Sequence, residues 1–242
     1  MNQQPKYSDY IRHYQFDAEY YDYFKVNAFD EQLIKRRYEE FFILCPVKAE
    51  DRVLEIGSGG GGALGPLKKT PARYFPLDIS SKNVRILKER SDIPVRPVAG
   101  DAFFLPFADQ SFDLVIVSEV LEHLEEPERA LAGIFRVLKK KGTLLLSVPY
   151  NERITYHLCI HCNRPTPSNA HLHSFNEKNM TKLLGAAGFN VQSVSRRCNK
   201  VTNRLRLNIM MKGLPFRIWR LLDQLANTIL PKPSHMIVRA RR

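Results

Sequence analysis

The densest chemistry in the sequence is a run of glycines behind an acidic residue, Glu55-Ile56-Gly57-Ser58-Gly59-Gly60-Gly61-Gly62. Glycine admits positive φ and lets a ligand approach the backbone closely, so such a run where a strand turns into a helix reads as a binding loop. Gly57-x-Gly59-x-x-Gly62 with Asp78 downstream fits a dinucleotide fingerprint, and a dehydrogenase is therefore one reading. Against it, Glu55 would sit poorly beside a pyrophosphate; it suits orienting the loop or holding a cationic amino acid group. Gly100-Asp101-Ala102 offers one carboxylate and one backbone N–H to an adenine edge. Ser118-Glu119-Val120-Leu121-Glu122-His123-Leu124 adds an imidazole that can accept a proton. Cys159-Ile160-His161-Cys162 followed by His171-Leu172-His173 supplies Cys159, Cys162, His171 and His173 in a C-x2-C-x8-H-x-H spacing, a set that selects zinc. Asn163 suits a knuckle turn there, because Asn tolerates the left-handed conformation.

These residues need a scaffold that brings loop ends together. Val53-Leu54-Glu55-Ile56 is a short apolar run ended by glycines, as a buried parallel strand would be. A second strand is expected over 74–77, ending at Asp78, with Ser80-Ser81 capping a helix that runs to about Glu89. A weak third strand covers 95–98 and a strong fourth 112–117. The spacing of Leu131, Ile134, Phe135 and Leu138 predicts a helix over 127–139, ended by Lys140-Lys141-Gly142, before a fifth strand over 143–148. Strand and helix alternate as in a doubly wound α/β sheet, which gathers the loops at the strands' carboxyl ends. Beyond Tyr150, residues 151–176 read as an irregular Cys/His-containing insert, 177–187 as a helix and 190–194 and 236–240 as strands. Residues 200–232 form a basic insert with two helices joined near Gly213-Leu214-Pro215. Residues 1–50 read as a helical amino-terminal cap on a single domain.

Taken in order, Glu55-x-Gly57-x-Gly59, Asp78, Asp101-Ala102 and Glu122-His123 resemble the class I S-adenosylmethionine-dependent methyltransferases, particularly the group that includes quinone-biosynthesis methyltransferases. The resemblance covers residues 52–150, and Leu183-Leu184-Gly185-Ala186-Ala187-Gly188-Phe189 extends it. It implies a Rossmann-like α/β fold whose seven-stranded sheet is mostly parallel with an antiparallel last strand, plus helical lid segments. It also implies S-adenosylmethionine as cofactor. Asp78 would then accept from the two ribose hydroxyls and Asp101 from the adenine amino group, with the Ala102 N–H facing a ring nitrogen. Gly57 and the Ser118 backbone would hold the methionine end; Ser58, Gly59 and Ile79 complete the expected cofactor set. In this sequence Gly65-Pro66 interrupts the helix after the glycines.

Methyl transfer from a sulfonium is an in-line displacement, so positioning carries much of it and a base is needed only where the acceptor keeps its proton. His123 is the candidate base, set against the alternative that it packs and caps at a helix start. Glu119-x-x-Glu122-His123 also looks like a divalent-metal arrangement of some methyltransferases acting on catechols or RNA ribose hydroxyls, which would suit magnesium or manganese. Zinc on the Cys/His set would be structural; His171 and His173 also fall where the resembled enzymes often carry a substrate-facing His or Arg. No Asn-Pro-Pro-aromatic motif follows the fourth strand and no Pro-Cys nucleophile is present, which argues against amino-nitrogen and pyrimidine-carbon chemistry on nucleic acids.

The charge of +12 is unevenly spread. Lys+Arg against Asp+Glu runs 7 to 9 over residues 1–50, 14 to 13 over 51–150 and 16 to 3 over 151–242, so the excess lies in the last third. That third is expected to meet an anionic partner: a phosphorylated substrate, a lipid headgroup or RNA. In its last helix Ile218, Leu221, Leu222, Leu225 and Ile229 share one face, flanked by Phe216 and Trp219 and bordered by Arg217 and Arg220. Such a helix either roofs the site with its apolar face inward or lies on an anionic membrane. The aromatics Tyr10, Phe16, Tyr20, Tyr21, Tyr23 and Phe24 would supply the rest of a lid. With no apolar leader in 1–23 and few cysteines, the expected setting is cytoplasmic, with or without peripheral membrane contact. The leading expectation is methyl transfer to oxygen of a small or lipid-linked acceptor. RNA methylation through the basic third and a non-catalytic cofactor-binding module are the alternatives.

Overall fold

The computed structural model describes residues 9–242. Two helices precede the first strand: α1 (Tyr10–Tyr20), capped by the Asp9 carboxylate, and α2 (Ala28–Leu44), capped by the Asn27 side chain. Then follow β1 (Arg52–Ile56), α3 (Leu64–Leu67), β2 (Arg73–Asp78), α4 (Ser81–Arg90), β3 (Val98–Ala99), β4 (Phe112–Ser118), α5 (Pro127–Val137) and β5 (Leu138–Pro149). A small hairpin, β6 (Tyr156–Leu158) and β7 (Pro165–Pro167), leads to α6 (Glu177–Ala186) and β8 (Asn190–Asn199). The helices α7 (Lys200–Arg204), α8 (Leu207–Met210) and α9 (Phe216–Ile229) come before β9 (Pro233–Arg241). The seven-stranded sheet has the order β3-β2-β1-β4-β5-β9-β8, parallel throughout except that β9 runs antiparallel to both neighbours. This is the Rossmann-like arrangement expected from the strand and helix alternation.

Both sheet faces are covered, which is why β1 and β4 are apolar nearly without break. On one face Leu54, Ile56, Val115 and Val117 pack with Leu131 and Ile134 of α5 and Met180 and Leu184 of α6. On the other, Val53, Leu114 and Ile116 pack with Tyr38 and Phe41 of α2 and Leu67 of α3. Because the sheet order reverses at β1 and β4, the loops after β1, β2, β3 and β4 open on one edge, the usual place for a ligand in such a sheet.

Several boundaries differ from the sequence reading. The helix expected over 127–139 stops at Val137, because Leu138 is fully buried in β5 and Lys139 turns to pair with Asp113 at 2.7 Å. The weak third strand reduces to Val98–Ala99, with Val95 making only an isolated bridge to Tyr74. β8 runs five residues beyond Val194: its last turn of polar residues is buried, Arg197 on Glu40 at 2.9 Å and Asn199 on the Leu230 carbonyl at 2.6 Å. The first helix of the basic insert is split into α7 and α8 by Arg206, which adopts φ +54°.

The largest correction concerns α9. Its apolar face does not turn inward. Trp219, expected to flank that face, is 1% exposed, donates from Nε1 to Asn208 Oδ1 at 3.0 Å and lies under the Arg36 guanidinium. One turn on, buried Asp223 accepts the N–H groups of Cys198 and Asn199, both at 3.1 Å. Arg220 reaches Glu40 at 2.9 Å. The helix is therefore anchored by one aromatic and two charged side chains, while Leu221, Leu225 and Ile229 are 67%, 54% and 68% exposed.

Candidate active site

The glycine loop is held on the end of β2. Gly57 N–H and Ser58 N–H both donate to the Leu77 carbonyl, at 2.8 and 3.0 Å. Gly57 has φ +69°, and a Cβ there would collide with Val120, so no other residue fits without moving the β4 turn. Glu55 lies beneath the loop, fully buried, accepting from the hydroxyls of Tyr38 and Tyr74 and from the Ala63 backbone. Of its two expected roles only loop orientation fits this position. Burial pushes its pKa up to about 7 against the opposing effect of those hydrogen bonds.

Asp78, at the carboxyl end of β2, accepts from Gly59 N–H on Oδ2 at 2.8 Å and from Ser80 N–H on Oδ1 at 2.9 Å. The Asn83 side chain is a third donor, so the carboxylate closes the loop and keeps only part of its acceptor capacity. Ile79 follows it. Asp101 after β3 accepts from Phe103 N–H at 2.9 Å and from the Tyr10 hydroxyl at 2.5 Å, beside Ala102. Ser118 ends β4, its hydroxyl 3.1 Å from that of Ser147 and 3.3 Å from Arg37 Nη1. Glycine loop, Asp78, Asp101-Ala102 and Ser118 thus stand along one edge of the sheet.

The amino-terminal segment lies across that edge. Besides the Tyr10 bond to Asp101, Tyr10 packs edge-on against Phe103, Tyr14 approaches His123 at a centroid distance of 6.0 Å and Tyr23 sits against Gly59. Lys82 Nζ donates to the Ala18 carbonyl at 2.9 Å and ties α1 to α4. Phe16, Tyr20 and Tyr21, expected in a lid, instead face solvent. The sequence reading missed Tyr14; nothing in its spacing sets it apart from its tyrosine neighbours. Residues 1–8 of the expected cap lie outside the described residues.

At the β4 turn the two glutamates diverge. Glu119, with φ +54°, points back to Arg37 at 3.2 Å and His235 at 3.4 Å. Burial alone would raise its pKa, but the charges of Arg37 and His235 hold the carboxyl well below the usual range. Glu119 is therefore not available to the magnesium arrangement expected of Glu119, Glu122 and His123. Glu122 is 1% exposed, and burial together with the Glu119 charge pushes its pKa well up. His123 is pushed down to about 4 by burial and by neighbouring His171.

The four expected zinc ligands are not brought together. The pairing of β6 with β7 carries Cys159 and Cys162 out to the hairpin tip, where Asn163 has φ +53° and donates from N–H to the Cys159 carbonyl at 2.8 Å. Backbone N–H groups of Cys162 and His161, and then the Cys162 side chain, pull the Cys159 thiol pKa down. The histidines stay behind: His173 Nε2 bonds the Leu124 carbonyl at 2.8 Å, and His171 Nδ1 lies 2.5 Å from Glu152 Oε2. Among the described residues, the group whose ligand atoms converge is Glu122, His123 and His171. Glu152 was not singled out from the sequence, since only the fold brings it to His171.

Residues 54–146 match the family described as a methyltransferase domain, the stretch that carries the glycine loop, Asp78, Asp101 and the β4 turn. That stretch of the chain is thus similar to methyltransferase domains. It is 39% identical over 97 residues to a demethylmenaquinone methyltransferase of Renibacterium salmoninarum, covering 40% of each chain. It is also 39% identical over 106 residues to phthiotriol/phenolphthiotriol dimycocerosates methyltransferase 1 of Mycobacterium ulcerans, covering 42% of this chain and 39% of that one. The match therefore spans about two fifths of the length of these curated relatives. The fold is shared with the 1,6-didemethyltoxoflavin-N1-methyltransferase of Burkholderia thailandensis, solved with 1,6-didemethyltoxoflavin and S-adenosylhomocysteine, at a TM-score of 0.66 and 18% identity over 99% of this chain and 92% of that one.

Proposed function

We propose that this protein moves the methyl group of S-adenosylmethionine to an oxygen of a lipid-linked acceptor at a membrane surface. The observation that carries the cofactor half is the alignment of the Gly57 to Gly59 loop, Asp78 and Asp101-Ala102 along the carboxyl ends of β1, β2 and β3. In this reading Asp78 holds the ribose, Asp101 and Ala102 the adenine, and Gly57, Ser58 and Ser118 the methionine end. Calorimetry tests it. S-adenosylhomocysteine binds and NAD does not, and Asp78→Asn weakens binding about 100-fold, the loss of charge-assisted bonds worth about 3 kcal/mol. Asp78→Ala, which also frees the Gly59 N–H, loses at least as much. NAD binding, or undiminished affinity in both variants, would overturn the assignment.

The acceptor half rests on α9. A row of exposed Leu and Ile on α9, in a stretch of chain that also exposes Arg204, Arg206, Lys212, Arg217 and Lys232, combines apolar and cationic signals, and a peripheral membrane helix needs both. RNA would engage the cations but leaves the apolar row unexplained. Two relatives bear names of lipid substrates, a menaquinone precursor and phthiotriol dimycocerosates, in keeping with this reading. In this reading His123 stands at the acceptor end; its Nδ1 is 3.3 Å from the Ala170 carbonyl, which leaves Nε2 as proton acceptor or ligand. Incubating the protein with isotopically labelled methyl donor and a native lipid extract, followed by mass spectrometry, should label a lipid-phase hydroxyl compound. Label confined to RNA or to water-soluble compounds would refute it.

A further inference from the structure

The β4 turn and the loop before α6 build a second constellation that the cofactor site does not use. One ligand atom each of Glu122, His123 and His171 lies within 4.8 Å of the other two, and the two imidazoles meet edge to face at 4.7 Å between centroids. Glu122 is 1% exposed, yet neither carboxylate oxygen has a partner beyond its own backbone N–H. Its burial is enforced, because Leu172 N–H and His173 N–H both donate to the Glu122 carbonyl, at 2.8 and 3.2 Å, and pin the histidine loop onto the turn. An unpartnered buried carboxyl group is destabilising even when neutral. Here it faces two rings that could have hydrogen-bonded to it and do not.

The outer contacts complete the pattern. His123 Nδ1 is engaged by the Ala170 carbonyl and His171 Nδ1 by the Glu152 carboxylate. A histidine whose Nδ1–H is held this way presents its Nε2 lone pair outward, and a carboxylate behind the ring raises its basicity as a ligand. Two imidazoles and one carboxylate, each oriented and none satisfied by the others, match a three-ligand divalent site that keeps a position open.

We propose that Glu122, His123 and His171 bind one divalent first-row transition ion, with Glu152 orienting His171 and the open position facing the acceptor oxygen. This rests on the methyl-transfer reading only for the identity of the fourth ligand. A hydroxyl bound there releases its proton to solvent more readily. The oxygen lone pair then takes the methyl carbon as the sulfonium C–S bond breaks, leaving neutral S-adenosylhomocysteine and the methyl ether. The hairpin cysteines belong to neither site.

Cobalt(II) added to chelator-treated full-length protein reports the site by its visible absorption. One equivalent is expected to bind with bands of nitrogen and oxygen ligation and no sulfur-to-metal charge transfer. Glu122→Gln and His171→Gln should each weaken binding at least 10-fold. Glu152→Gln should weaken it about 10-fold, as loss of an outer contact does, and Cys159→Ser with Cys162→Ser should leave it unchanged. S-adenosylhomocysteine affinity, measured in parallel, should persist in every variant, showing that they fold and separating this site from the cofactor reading. Absence of cobalt binding by folded wild-type protein, or its loss only in the cysteine variant, would overturn the proposal.

Discussion

At the scale of single residues, Glu55 shows how a buried acidic residue can support a glycine loop from beneath. Enclosed by Tyr38 and Tyr74, it keeps its proton to about pH 7, whereas an ordinary glutamate loses it near 4.5. Between those values the unfolded chain has released a proton that the folded chain retains, so stability falls as pH rises through the window. Two and a half units correspond to about 3 kcal/mol. Urea denaturation from pH 4.5 to 8 should therefore show wild-type stability declining relative to Glu55→Gln by roughly that amount, while groups common to both cancel. Parallel profiles would mean that Glu55 is ionised throughout. The motif residues Gly57, Asp78 and Asp101 were legible because backbone geometry and ligand chemistry restrict their types. The partners of Glu55 were not, since Tyr38 and Tyr74 are 17 and 19 residues away and look like any core tyrosine.

Among the elements, the buried parallel strands were readable because a strand covered on both faces has few apolar alternatives. β8 and α9 were misread for the converse reason: their burial is polar. Arg197, Asn199 and Asp223 enter the interior paired, and a hydropathy pattern counts them as surface. On α9 the apolar stripe accordingly left an inward and an outward face both open, and the exposure of Leu221, Leu225 and Ile229 removes the inward one. Two variants separate the faces. Trp219→Ala should destabilise the protein by about 3–5 kcal/mol in thermal or chemical denaturation, as deletion of a fully buried large aromatic does. Leu221→Glu with Leu225→Glu should leave stability within about 0.5 kcal/mol but abolish flotation with anionic vesicles, which wild-type protein should partly retain in high salt. If the double variant still floats, the vesicle contact is elsewhere.

Across the whole molecule, the acidic and neutral first two thirds and the basic last third meet around one sheet, and that division was visible from charge counts alone. No helix among the described residues is long and apolar enough to cross a membrane. The placement of α1 could not be read, because it depends on a few contacts over long sequence separations, among them Tyr10 with Asp101, 91 residues apart. That contact has a kinetic and thermodynamic side. Phe103 N–H takes Oδ1 of the proposed adenine partner and the Tyr10 phenol takes Oδ2, so a nucleoside that docks on Oδ2 competes with the phenol for that place. Measured affinity then equals the intrinsic affinity scaled by the fraction of molecules in which the phenol has let go. One hydrogen bond of about 1 kcal/mol makes Tyr10→Phe bind S-adenosylhomocysteine about 5-fold more tightly, which calorimetry can read; weaker binding would mean that the phenol assists the bound state. Tighter binding by the variant would make the amino-terminal tyrosine a competitive inhibitor carried on the same chain, present at a fixed local concentration that dilution cannot lower.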